Sequence, residues 1–412
     1  MSTGTAVGRT LGSLRDNRAF RLFWFSNLFF FGGVWTQTLV LGWLAWETTH
    51  SDFLVAVYTA VRLAPLLLGP FAGAFADRHN RVRLLIVAAS WALVAVSAVA
   101  TLASLGKAPY WVLVVGGLAI GLAQSPSQPA RASLVMDLVG RRNLSNANAL
   151  NSLALNMTQV IGPAIGGLMI TGLGAPAALW VSNFWYAISL AALLPLREYG
   201  RVVGGHTGSA LRMVTSGLRD LARNRLASTV LLITLAANTL LWPIAQSFMP
   251  VFAQESLGLD AAGLGWLLTC AGVGGLTGSL VIAWLGDFRF KGGMFVVGTA
   301  IWGTLWSLFA LSHDTMVSFV LMSAIGVMSA AFGVLQTTLL LMTTDESLHG
   351  RALGVQELAI GIMPLASLAL GAFAEHYGVG ITTFVSAVLL VAAVAALGLW
   401  TPKLLRYSGL LR

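Results

Sequence analysis

The chain has 412 residues, with 24 Lys or Arg and 15 Asp or Glu, so only 9% are charged where a soluble domain carries about 25%. Hydrophobic residues make up 57% and the mean hydropathy is +0.81. These values exclude a disordered chain and argue against a soluble enzyme. The single cysteine, Cys270, lies in an apolar run and has no partner in the chain for a disulfide or a cysteine metal cluster.

A bilayer core about 30 Å thick needs roughly 20 apolar residues per helix. Twelve such runs are expected in chain order. Six lie near 22–46, 53–76, 84–105, 109–131, 146–172 and 175–196. Six more lie near 226–253, 260–285, 293–312, 315–342, 352–376 and 380–400. The first run is too long for a signal peptide and no small-residue cleavage site follows it, so it is read as a span. The longest connection divides the chain into residues 1–196, a linker over 197–225, and residues 226–412. In the linker, Leu211, Val214, Leu218 and Leu221 recur at helical spacing opposite Arg212, Arg219 and Arg223. This pattern fits a helix lying on an anionic leaflet, or a regulatory binding segment.

Placing the basic residues on this map gives an orientation. Arg9, Arg15, Arg18 and Arg21 precede the first span, and Arg78, Arg81 and Arg83 follow the second. Arg131, Arg141 and Arg142 follow the fourth. Arg197, Arg201, Arg212, Arg219, Arg223 and Arg225 sit in the linker. Arg289, Lys291, Arg351, Lys403, Arg406 and Arg412 complete the same side. Only Lys107 falls on the opposite side, and only Arg62 inside a span. This asymmetry predicts a multi-pass cell-membrane (inner-membrane) protein with both termini in the cytoplasm. The net charge of +9 therefore reports topology, not a nucleic-acid surface.

Two motifs carry a family likeness. One is Gly73-Ala-Phe-Ala-Asp77-Arg78-His-Asn80-Arg81-Val82-Arg83 between the second and third spans. The other is Gly162-Pro163-Ala-Ile-Gly166-Gly167 in the fifth. On these the chain resembles the major facilitator superfamily over essentially its whole length. Asn80, Val82 and Thr158 depart from the usual glycine, basic residue and glycine. Gly33-Val-Trp35-Thr-Gln37, Pro129-Ala-Arg131 and Leu144-Ser-Asn146-Ala-Asn148-Ala-Leu-Asn151 look like the enterobactin-exporter and drug-efflux branch. The resemblance implies an all-α membrane fold of twelve helices in two six-helix bundles. It further implies that Asp77 meets the N-terminus of the eleventh span near Arg351. Arg78 or Arg81 would pair with Asp137, and Asp287 would play the matching part in the second half. Gly73, Asp77, Arg78, Arg81, Arg83, Arg131, Asp137 and Asp287 are thus the expected cytoplasmic gate. Gly162, Pro163, Gly166 and Gly167 are the expected helix-bending motif, with close packing the plainer reading.

Polar residues inside spans are the remaining candidates, because lipid penalises them. Arg62 lies about 13 Å along its helix and shares a stripe with Tyr58. It either binds an anionic or electron-rich substrate group or holds backbone carbonyls. Asn27, Gln37, Gln124, Gln128, Asn156, Gln159, Asn238, Gln246 and Gln336 are expected to face the interior, some of them only as glue between helices. Trp35 and Trp242 lie deep enough to touch a substrate. Glu357, about 9 Å into the eleventh span, is the one deep acid, read as a proton carrier or as a gate contact near Arg351 or Arg131. An arginine that drug antiporters of the superfamily carry in the fourth span is replaced here by Gly117. The expected function is export of a small amphipathic molecule (a drug, siderophore or other metabolite) by alternating access, by a monomer, with proton coupling resting on the resemblance. A lipid or lysophospholipid transporter is the alternative. No metal cluster, cofactor motif or catalytic constellation is found, which argues against an enzyme.

Overall fold

The computed structural model of the chain describes residues 14–15, 17–69, 79–199, 218–285, 288–345 and 348–408, without the side chains of 141–145 and 149. All regular structure among them is helical. Gly73, Asp77, Arg78, Asp287 and the linker over 200–217, with most of the expected amphipathic helix, lie outside the described residues.

Helix α1 is Arg18–Thr49, capped by Asn17, whose side chain accepts the N–H of Phe20. Helix α2, Asp52–Leu63, starts at the Ser51 cap and tightens into a 3-10 turn over Ala64–Leu68, where Pro65 withholds its N–H. Helix α3 is Arg81–Ser104, capped by Asn80. Helices α4 (Tyr110–Gly140) and α5 (Asn146–Leu173) are separated at Gly140, whose φ of 69° favours a glycine. Helix α6 is Ala175–Leu193. Helix α7, Arg225–Leu240, is capped by Asn224 and continues in pieces through Trp242–Ser247 and Met249–Val251 to a π-turn at Phe252–Ser256. Helices α8, α9 and α10 are Ala261–Leu285, Lys291–Leu311 and Thr315–Met342. Helix α11 begins as His349–Gly361, and the next helix, Met363–Trp400, turns back at Gly378 (φ 78°) to give α12.

Ten helical stretches are long and apolar enough to cross a membrane. The last of these holds both α11 and α12, and α2 is a further crossing, so the described residues make twelve passes. Odd-numbered helices run antiparallel to even ones, so the start of α1 at Arg18 and the end of α12 at Trp400 lie on one face, here called the terminal face.

Helices α1 to α6 pack mainly among themselves, as do α7 to α12, and two seams join the sets: α5 with α8 and α2 with α11. Glycines make the first seam close. A Cβ on Gly265 would lie 2.6 Å from the Pro163 carbonyl oxygen, and one on Gly272 2.8 Å from that of Gln159. The second seam is hydrogen-bonded: Ser367 Oγ donates to the Ala56 carbonyl at 3.2 Å and contacts Ser247 Oγ at 2.8 Å.

Candidate functional site

A cavity of about 140 Å³ lies at mid-height where α1 and α5 meet α7 to α10. Its wall includes Trp35, Thr38, Gln159, Pro163, Trp242, Gln246, Trp302 and Trp306, and none of its lining residues is ionisable. Each side chain is there for a local reason. Gly162 lets α5 approach α1, since a Cβ there would sit 2.7 Å from Trp35 Cβ, and Thr36 Oγ1 donates to the Gly162 carbonyl at 3.1 Å. This sets the height of Trp35. On α7, Pro243 has no N–H for the ladder, and the helix breaks at Leu241. The six-residue piece that follows carries Trp242 and Gln246 at i, i+4, so both face the cavity. The Trp242 ring lies 5.7 Å from that of Trp302.

Arg62 stands behind this wall. Its Nη1 donates to Thr38 Oγ1 at 2.9 Å and its Nη2 to Gln246 Oε1 at 3.0 Å. The residue is 5% exposed, and its Nε has no partner. Tyr58, one turn back, is buried with an unpartnered hydroxyl. Glycines on α4 make room for both: a Cβ on Gly117 would lie 2.8 Å from Tyr58 Cε2 and 3.4 Å from Arg62 Cβ. The position that lacks the antiporter arginine is therefore the space into which α2 brings its own.

The other candidates fall into separate groups. Arg131 is 2% exposed and donates to Asn27 Oδ1, while Asn27 Nδ2 donates to Asn151. Its guanidinium lies 4.3 Å from the Phe30 ring centroid. Gln37 accepts from the Tyr186 hydroxyl at 2.9 Å, and Asn238 Nδ2 donates to the Thr234 carbonyl at 2.8 Å. Gln336 Oε1 is buried without a partner. Gln124 and Asn156 are half-buried and Gln128 is exposed. Thus Trp35, Gln159, Trp242 and Gln246 come together at the cavity, Tyr58 and Arg62 stand behind it, and the rest do not line it.

Near the terminal face, Arg81 forms an ion pair with Asp137, while the side chain of Arg83 is exposed. Arg351 pairs with Asp220 at 2.7 Å, not with Glu357. Glu357 is exposed, with its Oε2 3.6 Å from where a Cβ of Gly69 would stand.

The opposite face holds contacts that the sequence reading missed. Glu375 Oε2 accepts from Ser51 Oγ at 2.9 Å and from the Phe53 N–H at 3.0 Å. Trp46 Nε1 donates to Gln254, and Thr171 Oγ1 accepts the Ala262 N–H at 3.0 Å. Among the described residues, every hydrogen bond that joins α1–α6 to α7–α12 lies at mid-height or toward this face. The molecule is closed there. Trp302 and Trp306 were also missed. They are 1% exposed with unpartnered Nε1 atoms, and their i, i+4 spacing on α9 was the signal available.

Twelve antiparallel passes in two six-helix sets, with paired seams and a central cavity, define an all-α multi-pass membrane fold. Solved structures agree on the fold. A POT family transporter in complex with 5-aminolevulinic acid superimposes with a TM-score of 0.78 at 11% identity, covering 94% of this chain and 97% of that one. A bacterial homologue of the human lysosomal transporter Spinster, inward-facing and unoccupied, gives 0.69 at 15% identity over 95% and 99%. The chain belongs to the transmembrane secretion effector family, whose profile matches residues 10–404. The multidrug efflux pump Tap of Mycolicibacterium fortuitum is 25% identical over 88% of this chain and 90% of its own length. The staphyloferrin A transporter of Staphylococcus aureus is 23% identical over 87% and 90%.

Proposed function

We propose that this protein exports a small amphipathic molecule from the cytoplasm by alternating access, with residues 1–196 and 226–412 rocking about the central cavity. The observation that carries this reading is the cavity itself: aromatic walls with a few amides, set between two helix sets and sealed on one face. Such a lining suits an apolar body with a polar handle. Similarity to a multidrug pump and a siderophore transporter supports the same class of cargo. The basic terminal face is the cytoplasmic one, by the positive-inside bias. The Arg81–Asp137 pair is then a cytoplasmic gate contact that breaks and re-forms during the cycle.

Glu357 is the proposed proton carrier: an exposed acid within α11, free of any ion pair among the described residues, on the helix that forms the α2–α11 seam. Flux of substrate in reconstituted vesicles that follows an imposed pH gradient, and that loses this dependence in Glu357→Gln, supports it. Flux indifferent to the gradient, with the variant as active as wild type, removes it. A thermal-shift panel of drugs, siderophores and lysolipids identifies the cargo class, because a ligand that binds the folded state raises its stability.

Lipid transport is the second reading. An apolar groove of about 500 Å³ between α7, α11 and α12, walled by Leu370, Phe373, Tyr377, Ile381 and Val385, favours it. Stabilisation by lysolipids alone would select this reading over the first.

A further inference from the structure

We infer that the transported molecule carries an anionic group, a carboxylate or similar oxyanion, which takes the place of Gln246 on the Arg62 guanidinium. The inference rests on the exporter reading above and deepens it by naming the charge of the cargo.

The charge balance around the cavity is the first ground. Arg62 is a cation at mid-membrane, yet no carboxylate lies within 4 Å of it among the described residues. Its two partners are neutral, an alcohol and an amide. The Nε–H of Arg62 and the hydroxyl of Tyr58 are buried without acceptors. A guanidinium held this way leaves its charge uncompensated and part of its donor fork unused, an arrangement that low-dielectric surroundings penalise. The wall of the cavity adds no charge of either sign. A site built for cationic cargo would place an acid here. This one places a bare cation, with spare donors around it, one side chain behind the wall.

The second ground is which atoms stand between Arg62 and the cavity. Thr38 and Gln246 both bond Arg62 and both line the cavity. Moving Gln246 aside exposes the guanidinium to the bound molecule. A carboxylate presents two anionic oxygens to the planar fork and binds it more strongly than an amide oxygen does. The exchange is therefore favourable for an anion and unfavourable for a neutral or cationic group.

The exchange also has a mechanical consequence. Arg62 belongs to α2 and Gln246 to α7, so their bond joins the two helix sets. Gln246 sits on the six-residue piece Trp242–Ser247, already parted from the rest of α7 at Leu241. An anion that displaces it removes one of the bonds holding the far side closed. Cargo binding and release of the outer seam become one event, so the empty cavity stays shut. The field of the molecule points the same way. Basic residues crowd the face where cargo enters, while Glu47, Asp52, Glu255, Asp260, Asp314 and Glu375 lie toward the face where it leaves. An inside-negative membrane potential drives an anion in the same direction.

The test uses the full-length protein in nanodiscs and three probes with one aromatic body: 2-naphthylacetate, its methyl ester and 2-naphthylethylammonium. Binding is read from tryptophan fluorescence, with Trp242→Phe locating the signal at the cavity. The carboxylate is expected to bind at least about tenfold more tightly than either analogue. Arg62→Gln should remove that preference, and Gln246→Glu, which supplies a carboxylate from the protein, should weaken the anion selectively. A wild-type preference for the ester or the ammonium overturns the inference while leaving the exporter reading in place. So does a preference for the carboxylate that persists in a folded Arg62→Gln or Gln246→Glu protein. Failure of all three probes to bind at the cavity contradicts the exporter reading itself.

Discussion

Arg131 shows how a buried cation is held without an acid. Its guanidinium donates to Asn27 Oδ1 and lies over Phe30, with Phe31 5.6 Å away on the same stretch of α1. The planar group does two things that an ammonium does not do together, stacking on the rings and directing its N–H groups in a plane. Arg131→Ala is expected to cost about 2–4 kcal/mol, from lost packing and a broken charged hydrogen bond. Arg131→Lys should recover only part of it, as read by thermal unfolding in one detergent. A variant as stable as wild type would show that the cage contributes nothing. At Arg81 and Asp137 the ion pair is mostly shielded, with side chains 10% and 28% exposed. A double-mutant cycle should give a coupling of about 1–3 kcal/mol, larger than for an open surface pair. Coupling near zero would remove the pair from the gate.

At the scale of elements, the α5–α8 seam depends on missing side chains. Gly265→Val and Gly272→Val would each drive a Cβ into backbone of the other helix set, at 2.6 and 2.8 Å. Both variants should insert normally but lose transport, with cysteine accessibility on the outer face rising because the seam is pried apart. Unchanged transport would show that the seam is looser than its geometry. At the outer ends of α2, α7 and α11 a buried acid joins the seam: Asp52, the first residue of α2, has one unpartnered oxygen.

At the scale of the whole molecule, the twelve passes were legible because each needs about 20 apolar residues and basic residues mark every second connection. Gly140 and Gly378 turn the chain where the sequence map placed connections. Helix α2 was less legible, since Pro65 tightens it into a 3-10 turn inside the expected 53–76 run. The central site was legible only in part. Trp35, Gln159, Trp242 and Gln246 were found because helical spacing puts a residue on a face. That Arg62 reaches Gln246 was not, because the two are 184 residues apart and meet only once the helix sets are packed. The outer acids were missed for the same reason: Ser51, Phe53 and Glu375 become neighbours only through the α2–α11 seam.

Export requires directional movement through the cavity. The measurement is uptake, by inside-out membrane vesicles, of a compound that the thermal-shift panel shows to bind. The expected result is saturable accumulation in these vesicles that is abolished by Gly272→Val and sharply reduced by Arg62→Ala. Accumulation only in right-side-out vesicles, or equal uptake by wild type and both folded variants, would contradict export through this site.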